Sequence, residues 1–203
     1  MPKIIDNIQN FLNSELSSAL DISYKADFCV GYFNLRGWKE VVNKIDQFEG
    51  VENAQCRVLV GMQKQPQIIL QEYFSSIDED GIDNQRALKI KKDFAQEFKN
   101  QLIIGVPTNS DESSLRKLAK QIKENKVVVK LFVKHNLHAK LYLAYREDKF
   151  NPLIGFLGSS NLTLSGLAKQ GELNVDVLEQ DAAVKLEKWF NDRWNDRDRK
   201  SVV

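Results

Sequence analysis

Two histidines, His135 and His138, are the only imidazoles in this chain of 203 residues. Lys140 follows His138 by two positions, and side chains two positions apart on a strand lie on the same face. A lysine ammonium can neutralise phosphoryl oxygens, while an imidazole beside it can attack phosphorus or move a proton. The pair therefore predicts chemistry on a phosphate group, although a single histidine is more often a structural residue.

Two more polar segments follow the histidine–lysine pair. Gly158, Ser159, Ser160 and Asn161 come directly after an apolar stretch, and Glu172 opens the next one. Each segment has a structural explanation, because Gly, Ser and Asn favour turns and a glutamate at a strand end is commonly only solvated. Each also has a functional explanation. The hydroxyl and amide can bind a phosphate oxygen, and the carboxylate can hold a histidine in one tautomer.

The cysteines give no support to a metal or disulfide site. Cys29 and Cys56 stand in apolar stretches far from the histidines in sequence, and the chain has no CxxC or HExxH motif. They are predicted to be reduced, buried thiols of a cytoplasmic protein that needs no metal or other cofactor. The N-terminus lacks the pattern of a signal peptide, and no apolar stretch approaches the roughly 18 residues of a membrane span.

Composition places the chain among ordinary globular proteins. Hydrophobic residues make up 42% and charged residues 28%, and 29 Lys and Arg against 28 Asp and Glu give a net charge of +1. These proportions exclude a disordered or uniformly basic protein. Charge is nevertheless uneven, because residues 114–140 hold eight Lys and Arg and a single acid, Glu124. This basic run is either a solvated helix face or a surface that attracts phosphates.

Hydrophobic periodicity predicts the elements that must position these residues. Helices are predicted over 3–20, 38–48, 111–124 and 181–196, with a largely helical segment over 66–104. Strands are predicted over 26–33, 56–61, 127–133, 138–145, 153–157 and 172–178. The order strand, helix, strand from 26 to 61 is typical of a parallel βαβ unit. We therefore expect a single α/β domain over 1–203, with a mixed, mostly parallel central sheet, helices on both faces and the candidate site in the half 126–178.

Taken in order, these motifs resemble those of the phospholipase D superfamily. Its signature is His-x-Lys-x4-Asp, followed by Gly-Ser-x-Asn and then an acid. The matching positions are His138-Ala139-Lys140, residues 158–161 and Glu172. The flanking sequence is similar to the phospholipase-D-like domains of prokaryotic restriction endonucleases and of certain large helicases. The resemblance implies a phospholipase-D-like fold and phosphodiester hydrolysis.

The resemblance also implies a role for each matched residue. His138 would be the nucleophile or the general acid, and Lys140 would bind phosphate. Ser159 and Asn161 would complete the phosphate pocket, and Glu172 would orient a histidine. Further substrate contacts are expected from Ser160, Lys130, Lys134 and Arg36.

One departure from the signature concerns the Asp of His-x-Lys-x4-Asp, because this chain has Tyr145 at that position. Members of the superfamily use two His-Lys motifs per active site. This chain has one, because His135 is three residues from His138 on the same segment. The resemblance therefore implies a homodimer with a site shared across a two-fold axis. One His138 would form a phosphohistidine, and the other would protonate the leaving oxygen, without a metal.

Three functions are compatible with this pattern. The first is a metal-independent phosphodiesterase of the endonuclease type that acts on DNA, which the basic run supports. The second is a non-catalytic phospholipase-D-like module that binds DNA or dimerises within a larger helicase or restriction protein, and Tyr145 favours it. The chain contains no P-loop sequence, so a motor ATPase would lie elsewhere. A phospholipase ranks third, because no amphipathic membrane-binding stretch is evident.

Overall fold

The computed structural model describes residues 2–61, 109–132 and 137–196, together with residues 92, 96, 99, 100, 102 and 103. The predicted helical segment 66–104 therefore lies almost wholly outside the described residues, as do Lys134 and His135. Within the described part of the chain, every helix is too short or too polar to span a lipid bilayer.

Seven strands and four α-helices make up the described part of the chain. The strands are β1 (Ile4–Ile5), β2 (Ser23–Val30), β3 (Cys56–Gly61), β4 (Val127–Phe132), β5 (Leu141–Arg146), β6 (Leu153–Gly158) and β7 (Asn174–Val177). The helices are α1 (Leu12–Asp21), α2 (Leu35–Ile45), α3 (Asn109–Lys123) and α4 (Gln180–Trp194), and a single π-helical turn covers Ser165–Lys169. Each predicted strand overlaps one of β2 to β7.

The strands form one mixed sheet in the order β1-β7-β6-β5-β2-β3-β4. Strands β2, β3 and β4 are parallel neighbours, whereas the other four neighbouring pairs are antiparallel. The α/β class is confirmed, but the expectation of a mostly parallel sheet is wrong. Parallel neighbours need a crossover of a dozen or more residues, and the link between β5 and β6 is too short for one. The strands are apolar throughout because both faces of the sheet are covered. Such a pattern is typical of parallel sheets, and it therefore suggested parallel pairing.

The N-terminal segment differs from the predicted helix over 3–20. Residues Ile4–Ile5 pair with β7 as an antiparallel edge strand. The Asp6 carboxylate then accepts hydrogen bonds from three successive backbone N–H groups, which lowers its pKa and closes a turn. Asn7 has a φ of 57°, and its side-chain oxygen accepts from the N–H of Leu12 at 2.9 Å. The helix therefore begins at Leu12, because this turn stops the helical backbone although the apolar periodicity continues through it.

Helices cover the two faces of the sheet unequally. Successive residues of a strand point to opposite faces, so each strand contributes to two cores. On one face the core includes Leu16 of α1, Trp38 of α2 and Leu118 of α3. On the other face the core includes Phe190 and Trp194, both of α4. Among the described helices, three therefore pack on the first face and one on the second.

Candidate active site

The candidate site lies at one edge of the sheet, where five strand ends meet. β2 and β3 finish at this edge, and β5 runs antiparallel to β2, so the residues before Leu141 lie beside those after Val30. β6 also ends here at Gly158, and β7 begins here at Asn174. The predicted motifs are thus brought to one edge, because each stands at the end of a strand.

The central contact joins His138 and Lys140. Lys140 Nζ lies 2.8 Å from Nδ1 and 2.9 Å from Nε2 of the imidazole, and it donates to the His138 carbonyl at 2.9 Å. The His138 side chain is exposed, whereas Lys140 is only 4% exposed. An ammonium can donate to an imidazole nitrogen or to a phosphate oxygen placed beside the ring. The result is an accessible imidazole with a positive charge beside it.

Burial also changes the acidity of this lysine. Removal from water lowers the pKa of Lys140 below its ordinary value, and the nearby Glu172 carboxylate opposes this shift. The side chain therefore sits in a partly desolvated position with a carboxylate close by. A cation held this way interacts more strongly with an anionic ligand than a solvated one does.

Two glycines allow the segment before β5 to approach the neighbouring strands. A Cβ on Gly31 would lie 3.2 Å from Asn161 Oδ1 and 3.6 Å from His138 Cδ2. A Cβ on Gly61 would lie 2.1 Å from the carbonyl oxygen of Leu137, so only glycine fits there. A glycine at the end of each of two buried strands was the sequence signal for this close approach.

Asn161 is held by the chain that leaves β2. Its side-chain oxygen accepts from the N–H of Tyr32 at 2.9 Å. The following residue, Leu162, donates its N–H to the Tyr32 carbonyl at 3.2 Å, and Leu162 also forms a parallel bridge with Phe33. With Oδ1 engaged, the Nδ2 amide group of Asn161 is the donor that can contact a phosphate oxygen.

Ser159 and Glu172 form a hydrogen-bonded pair at the same edge. The Ser159 hydroxyl donates to Glu172 Oε2 and accepts from the N–H of Leu173 at 3.0 Å. Glu172 is expected from the resemblance to orient a histidine. Among the described residues its carboxylate instead accepts a hydrogen bond from Ser159, and its charge acts on Lys140. The carboxylate is thus placed between the serine and the lysine of the candidate site.

Ser160 does not have the substrate contact expected of it. Its side chain is fully buried, and its Oγ accepts from Asn174 Nδ2 at 2.8 Å. Its backbone N–H donates to Asn174 Oδ1 at 3.3 Å, and its carbonyl accepts from the hydroxyl of Tyr142 at 2.9 Å. The residue therefore anchors the loop that carries Ser159 and Asn161, because a buried side chain cannot reach a ligand.

Sequence reasoning missed the two residues that hold Ser160. Tyr142 is 1% exposed and Asn174 is 2% exposed. A buried tyrosine hydroxyl or asparagine amide needs a hydrogen-bond partner inside the protein. A tyrosine within an apolar strand, and an asparagine just after the motif glutamate, were the available signals.

The other expected substrate contacts lie in different places. Lys130 donates to the backbone carbonyl of Trp194 at 3.2 Å, and its Nζ lies 4.4 Å from the centre of the Trp194 ring. It therefore serves the contact between β4 and α4 rather than the site. Arg36 is half-buried in the first turn of α2, which follows β2 at the site edge. Lys134 lies outside the described residues.

Most described members of the basic run lie on the exposed surface of α3. Arg116 pairs with Glu112 at 2.7 Å, Lys120 pairs with Glu124 at 3.7 Å, and Lys117 donates to an asparagine of α2. The last turn of α3 leads to the start of β4, at the opposite end of the parallel strands from His138. The run approaches the histidine in sequence but not in space, which favours the solvated-face interpretation for α3.

Tyr145 lies far from the candidate site. It stands five positions beyond Lys140 on β5, or about 16 Å along a strand. Its buried hydroxyl donates to Asp27 Oδ2 at 2.6 Å, and burial together with the Asp27 charge raises the pKa of the phenol. Asp27 also accepts two hydrogen bonds of 2.5 Å from Arg57. Tyr145, Asp27 and Arg57 thus form a buried polar cluster away from the candidate site.

The sheet and the site edge define the class of protein. They combine an exposed His-x-Lys pair with a Gly-Ser-x-Asn loop and an acid at the ends of adjacent strands, in agreement with a phospholipase-D-like domain. The model of the family described as cardiolipin synthase, PLD-like domain, matches residues 12–194. The chain therefore belongs to this family, within the phospholipase D superfamily.

Solved structures agree with this fold. The chain is similar to Nuc from Salmonella typhimurium, a phospholipase D family member, at 11% identity and a TM-score of 0.54, over 99% of this chain and 98% of Nuc. It is similar to NucT from Helicobacter pylori at 9% identity and a TM-score of 0.52, over 96% and 95%. Phosphatidylserine synthase from Haemophilus influenzae Rd KW20 gives 15% identity and a TM-score of 0.52, over 98% and 39%. None of the curated proteins compared with the chain matches it.

Proposed function

We propose that the chain is a phosphodiesterase of the nuclease type that cleaves DNA without a metal, through a phosphohistidine at His138. The observation that carries this proposal is the exposed His138 ring with the Lys140 ammonium within 2.9 Å of both its nitrogens. An unprotonated imidazole is the nucleophilic form, and the adjacent cation attracts the phosphate that it would attack. DNA as the substrate is supported by the resemblance to phospholipase-D-like domains of restriction endonucleases.

In the first step an imidazole nitrogen of His138 attacks phosphorus. The bond from phosphorus to one ester oxygen breaks, and that oxygen takes a proton from the partner's His138. Negative charge develops on the non-bridging oxygens, where Lys140 Nζ and Asn161 Nδ2 can donate. In the second step the partner's His138, now neutral, takes a proton from water as the water attacks the phosphohistidine. This releases the phosphate monoester and restores both histidines to their starting state.

The proposal needs two copies of the chain because attack and leaving-group protonation occur on opposite sides of phosphorus. A single His138 cannot do both at once. The other histidine of the chain, His135, is only three residues away in sequence. A two-fold axis near the site edge would supply a second His138 and a second Lys140.

Ser159 and Glu172 have supporting roles in this proposal. Their hydrogen bond fixes the serine hydroxyl beside the site, and the carboxylate favours the charged form of Lys140. Loss of the Glu172 charge would therefore weaken the hydrogen bond that fixes the Ser159 hydroxyl, even without a contact to His138. We expect Glu172→Gln to lower activity more than it lowers stability.

The departure at Tyr145 lies away from the candidate site. Its hydroxyl is bonded to Asp27 at the other end of β5 from Lys140. The tyrosine was the residue that favoured a non-catalytic module of a helicase or restriction protein. The contact between His138 and Lys140 is the observation that favours the enzyme, and we propose it over the module.

The test is a nicking assay on supercoiled plasmid DNA in EDTA. The wild-type protein should nick DNA, and His138→Ala should not. Lys44→Ala removes an ion pair with Asp21 at the end of α2 remote from the site, and it should cleave like the wild type. An acid-labile covalent link between the wild-type protein and a DNA end should appear after a rapid quench and be absent from His138→Ala. Cleavage that requires a metal, or that persists in His138→Ala, would contradict the proposal.

The same preparation should be tested on phosphatidylglycerol vesicles. The family model carries the description cardiolipin synthase, so a phospholipid is the substrate class that competes with DNA. Release or transfer of a phosphatidyl group by the wild type, with no DNA nicking, would contradict the DNA proposal. It would leave the histidine mechanism in place.

A further inference from the structure

Two arginines at helix α4 differ in whether the described residues give them an acidic partner. Arg57 of β3 donates from Nε and Nη2 to the Asp27 carboxylate, both at 2.5 Å. Arg193 stands in the last turn of α4, and the acid before it, Asp192, pairs with Lys188 at 3.0 Å. Within the described part of the chain, the positive charge of Arg193 therefore has no carboxylate partner.

The Arg193 side chain is nevertheless held in place. Its guanidinium lies 3.8 Å from the centre of the Trp189 ring, and Nη1 donates to the Trp189 carbonyl at 3.0 Å. Nε is the one buried side-chain nitrogen or oxygen of the described residues that lacks a hydrogen-bond partner. A buried donor without a partner lowers stability. The arrangement thus fixes a cation at a cost to the fold, and no internal acceptor explains it.

The stack of Trp189 and Arg193 lies on the side of α4 that faces the candidate site. On the other side of the helix, Asn191 accepts from Arg57 Nη2 at 2.9 Å. Arg57 stands near the start of β3, whereas the candidate site lies at the end of this strand. Two positions along a helix correspond to a rotation of about 200°. Trp189 and Arg193, each two positions from Asn191, therefore turn toward the site edge.

The stack also adjoins the segment that carries His138. Leu137 belongs to the core beneath α4, and Ala139 and Trp189 both pack against that core. Leu137 and Ala139 flank His138 in sequence, and Arg193 follows Trp189 by about one helical turn. Each strand of a DNA duplex carries a phosphate every ~3.4 Å along the helix axis. Phosphates that neighbour the one at His138 therefore extend beyond the site edge.

We infer that Arg193, held on the Trp189 ring, binds a DNA phosphate that lies beside the one at His138. This inference rests on the proposed function, because it takes DNA as the substrate. A guanidinium matches the geometry of a phosphate, and a side chain that is already fixed loses little conformational freedom on binding. The basic run on α3 lies at the opposite end of the parallel strands from His138. Helix α4 therefore supplies positive charge next to the site, where α3 does not.

The matched variants are Arg193→Gln and Lys188→Gln, which each remove one positive charge from α4. The Lys188 side chain is 76% exposed and pairs with Asp192. Both are made in the His138→Ala background so that the DNA stays intact, and circular dichroism shows that each is folded. Binding of a labelled DNA duplex is measured by fluorescence anisotropy between ~50 and ~200 mM salt, where phosphate contacts determine the salt dependence.

Arg193→Gln should bind DNA about tenfold more weakly, as expected for the loss of one charge-assisted hydrogen bond. Its plot of log affinity against log salt should be less steep by about 0.9, which corresponds to one phosphate contact. Lys188→Gln should match its parent in both respects. Arg193→Lys keeps the charge without the planar fork, so it should restore the slope but not the full affinity.

A small substrate separates this contact from the chemistry at His138. Bis(4-nitrophenyl) phosphate has no neighbouring phosphate that could reach α4. With His138 present, Arg193→Gln should hydrolyse it at the wild-type rate and should nick plasmid DNA about tenfold more slowly. An equal loss on the two substrates would overturn the inference, because the arginine would then act through the site or the fold.

The outcomes distinguish this inference from the proposed function. A wild type that binds DNA through Arg193 and never cleaves it would support the phosphate contact and contradict the nuclease. A wild type that nicks DNA, with an Arg193→Gln variant of unchanged affinity and salt slope, would overturn the phosphate contact alone. An equal change in Lys188→Gln would also overturn it, because any charge on α4 would then have the same effect.

Discussion

Replacement of Asn174 by alanine should weaken both the fold and the activity, although this side chain lies inside the protein. Asn174 makes two hydrogen bonds to Ser160, of 2.8 Å and 3.3 Å, and both residues are almost completely buried. Each bond contributes about 1 kcal/mol net, and a donor or acceptor left unsatisfied costs a further ~1–3 kcal/mol. The Ser160 hydroxyl can rotate, whereas its backbone N–H cannot. We therefore expect a loss of about 2–4 kcal/mol in the free energy of unfolding.

The effect on activity follows from the neighbours of Ser160. Ser159 and Asn161 flank it on the same loop, and both belong to the candidate site. A displacement of about 1 Å in a positioned group can lower the rate by about 100-fold. Urea unfolding gives the stability, and the hydrolysis rate of bis(4-nitrophenyl) phosphate gives the activity at a temperature where the variant is folded.

The matched control is Asn13→Ala on α1. Asn13 is half-buried, and its side chain makes two long bonds of 3.4 Å, one donated to Glu40 and one accepted from the Ser14 hydroxyl. Its free energy of unfolding should lie within about 0.5 kcal/mol of the wild-type value, as for most surface substitutions, and its hydrolysis rate should be unchanged. An Asn174→Ala protein with an unchanged urea midpoint would refute the assigned hydrogen bonds. A destabilised variant with full activity would refute the positioning role.

Three further predictions test other parts of the structure. Asp27→Asn breaks a buried ion pair with Arg57, so unfolding should be easier by about 3–5 kcal/mol in urea, while the activity of the folded fraction stays unchanged. Because burial lowers the pKa of Lys140, activity should fall on the alkaline side below the ordinary value of 10.5, and Lys140→Arg should move that limb upward in a pH–rate profile. If the alkaline limb of Lys140→Arg fell at the same pH as that of the wild type, the limb would not arise from Lys140. Gly61→Ala places a Cβ 2.1 Å from a backbone oxygen just before His138, and we expect at least a tenfold loss of activity in the plasmid assay.

The sign of the Lys140 effect on stability follows from the same shift. The folded-state pKa is depressed, so the unfolded chain holds the proton to higher pH than the folded protein does. Stability should therefore rise with pH across the interval between the two values, where the unfolded state binds more protons. At neutral pH the desolvation cost is fully present, and Lys140→Met should be more stable than the wild type while it loses activity.

The sequence could predict where the motif residues lie in the fold, because each of them stands at the end of a strand. An apolar stretch followed by polar residues predicts a strand end, and the strand ends around His138 and Gly158 lie at one edge in the structure. Helix α4 was predicted over 181–196 and is observed over Gln180–Trp194. The prediction came close because an amphipathic pattern of that length is typical of a helix.

Strand direction could not be predicted in the same way. A strand buried on both faces reads as apolar whether its neighbours are parallel or antiparallel. The start of α1 was also missed, because Ile4 and Ile8 fit a helical period although a turn at Asp6 separates them. Periodicity records which side chains are apolar, and it does not record a local hydrogen bond that stops a helix.

Burial distinguishes the residues that can contact a ligand from those that only support the structure. His138 and Lys140 were predicted from residue type and spacing, and the structure brings them into contact. Ser160 looks like a site residue in sequence but is an internal anchor, and Lys130 serves the contact with α4. Sequence spacing cannot distinguish a serine that faces a ligand from the adjacent serine that faces the core.

The two-residue strand β1 has a consequence for solubility. It occupies the edge of β7, and it pairs there through Ile4 and Ile5. An open strand edge is a template for aggregation, and natural proteins blunt such edges with very short strands. Loss of this pairing would leave the backbone of Asn174–Val177 open to strands from other molecules. The N-terminal residues therefore protect the sheet against edge-to-edge association.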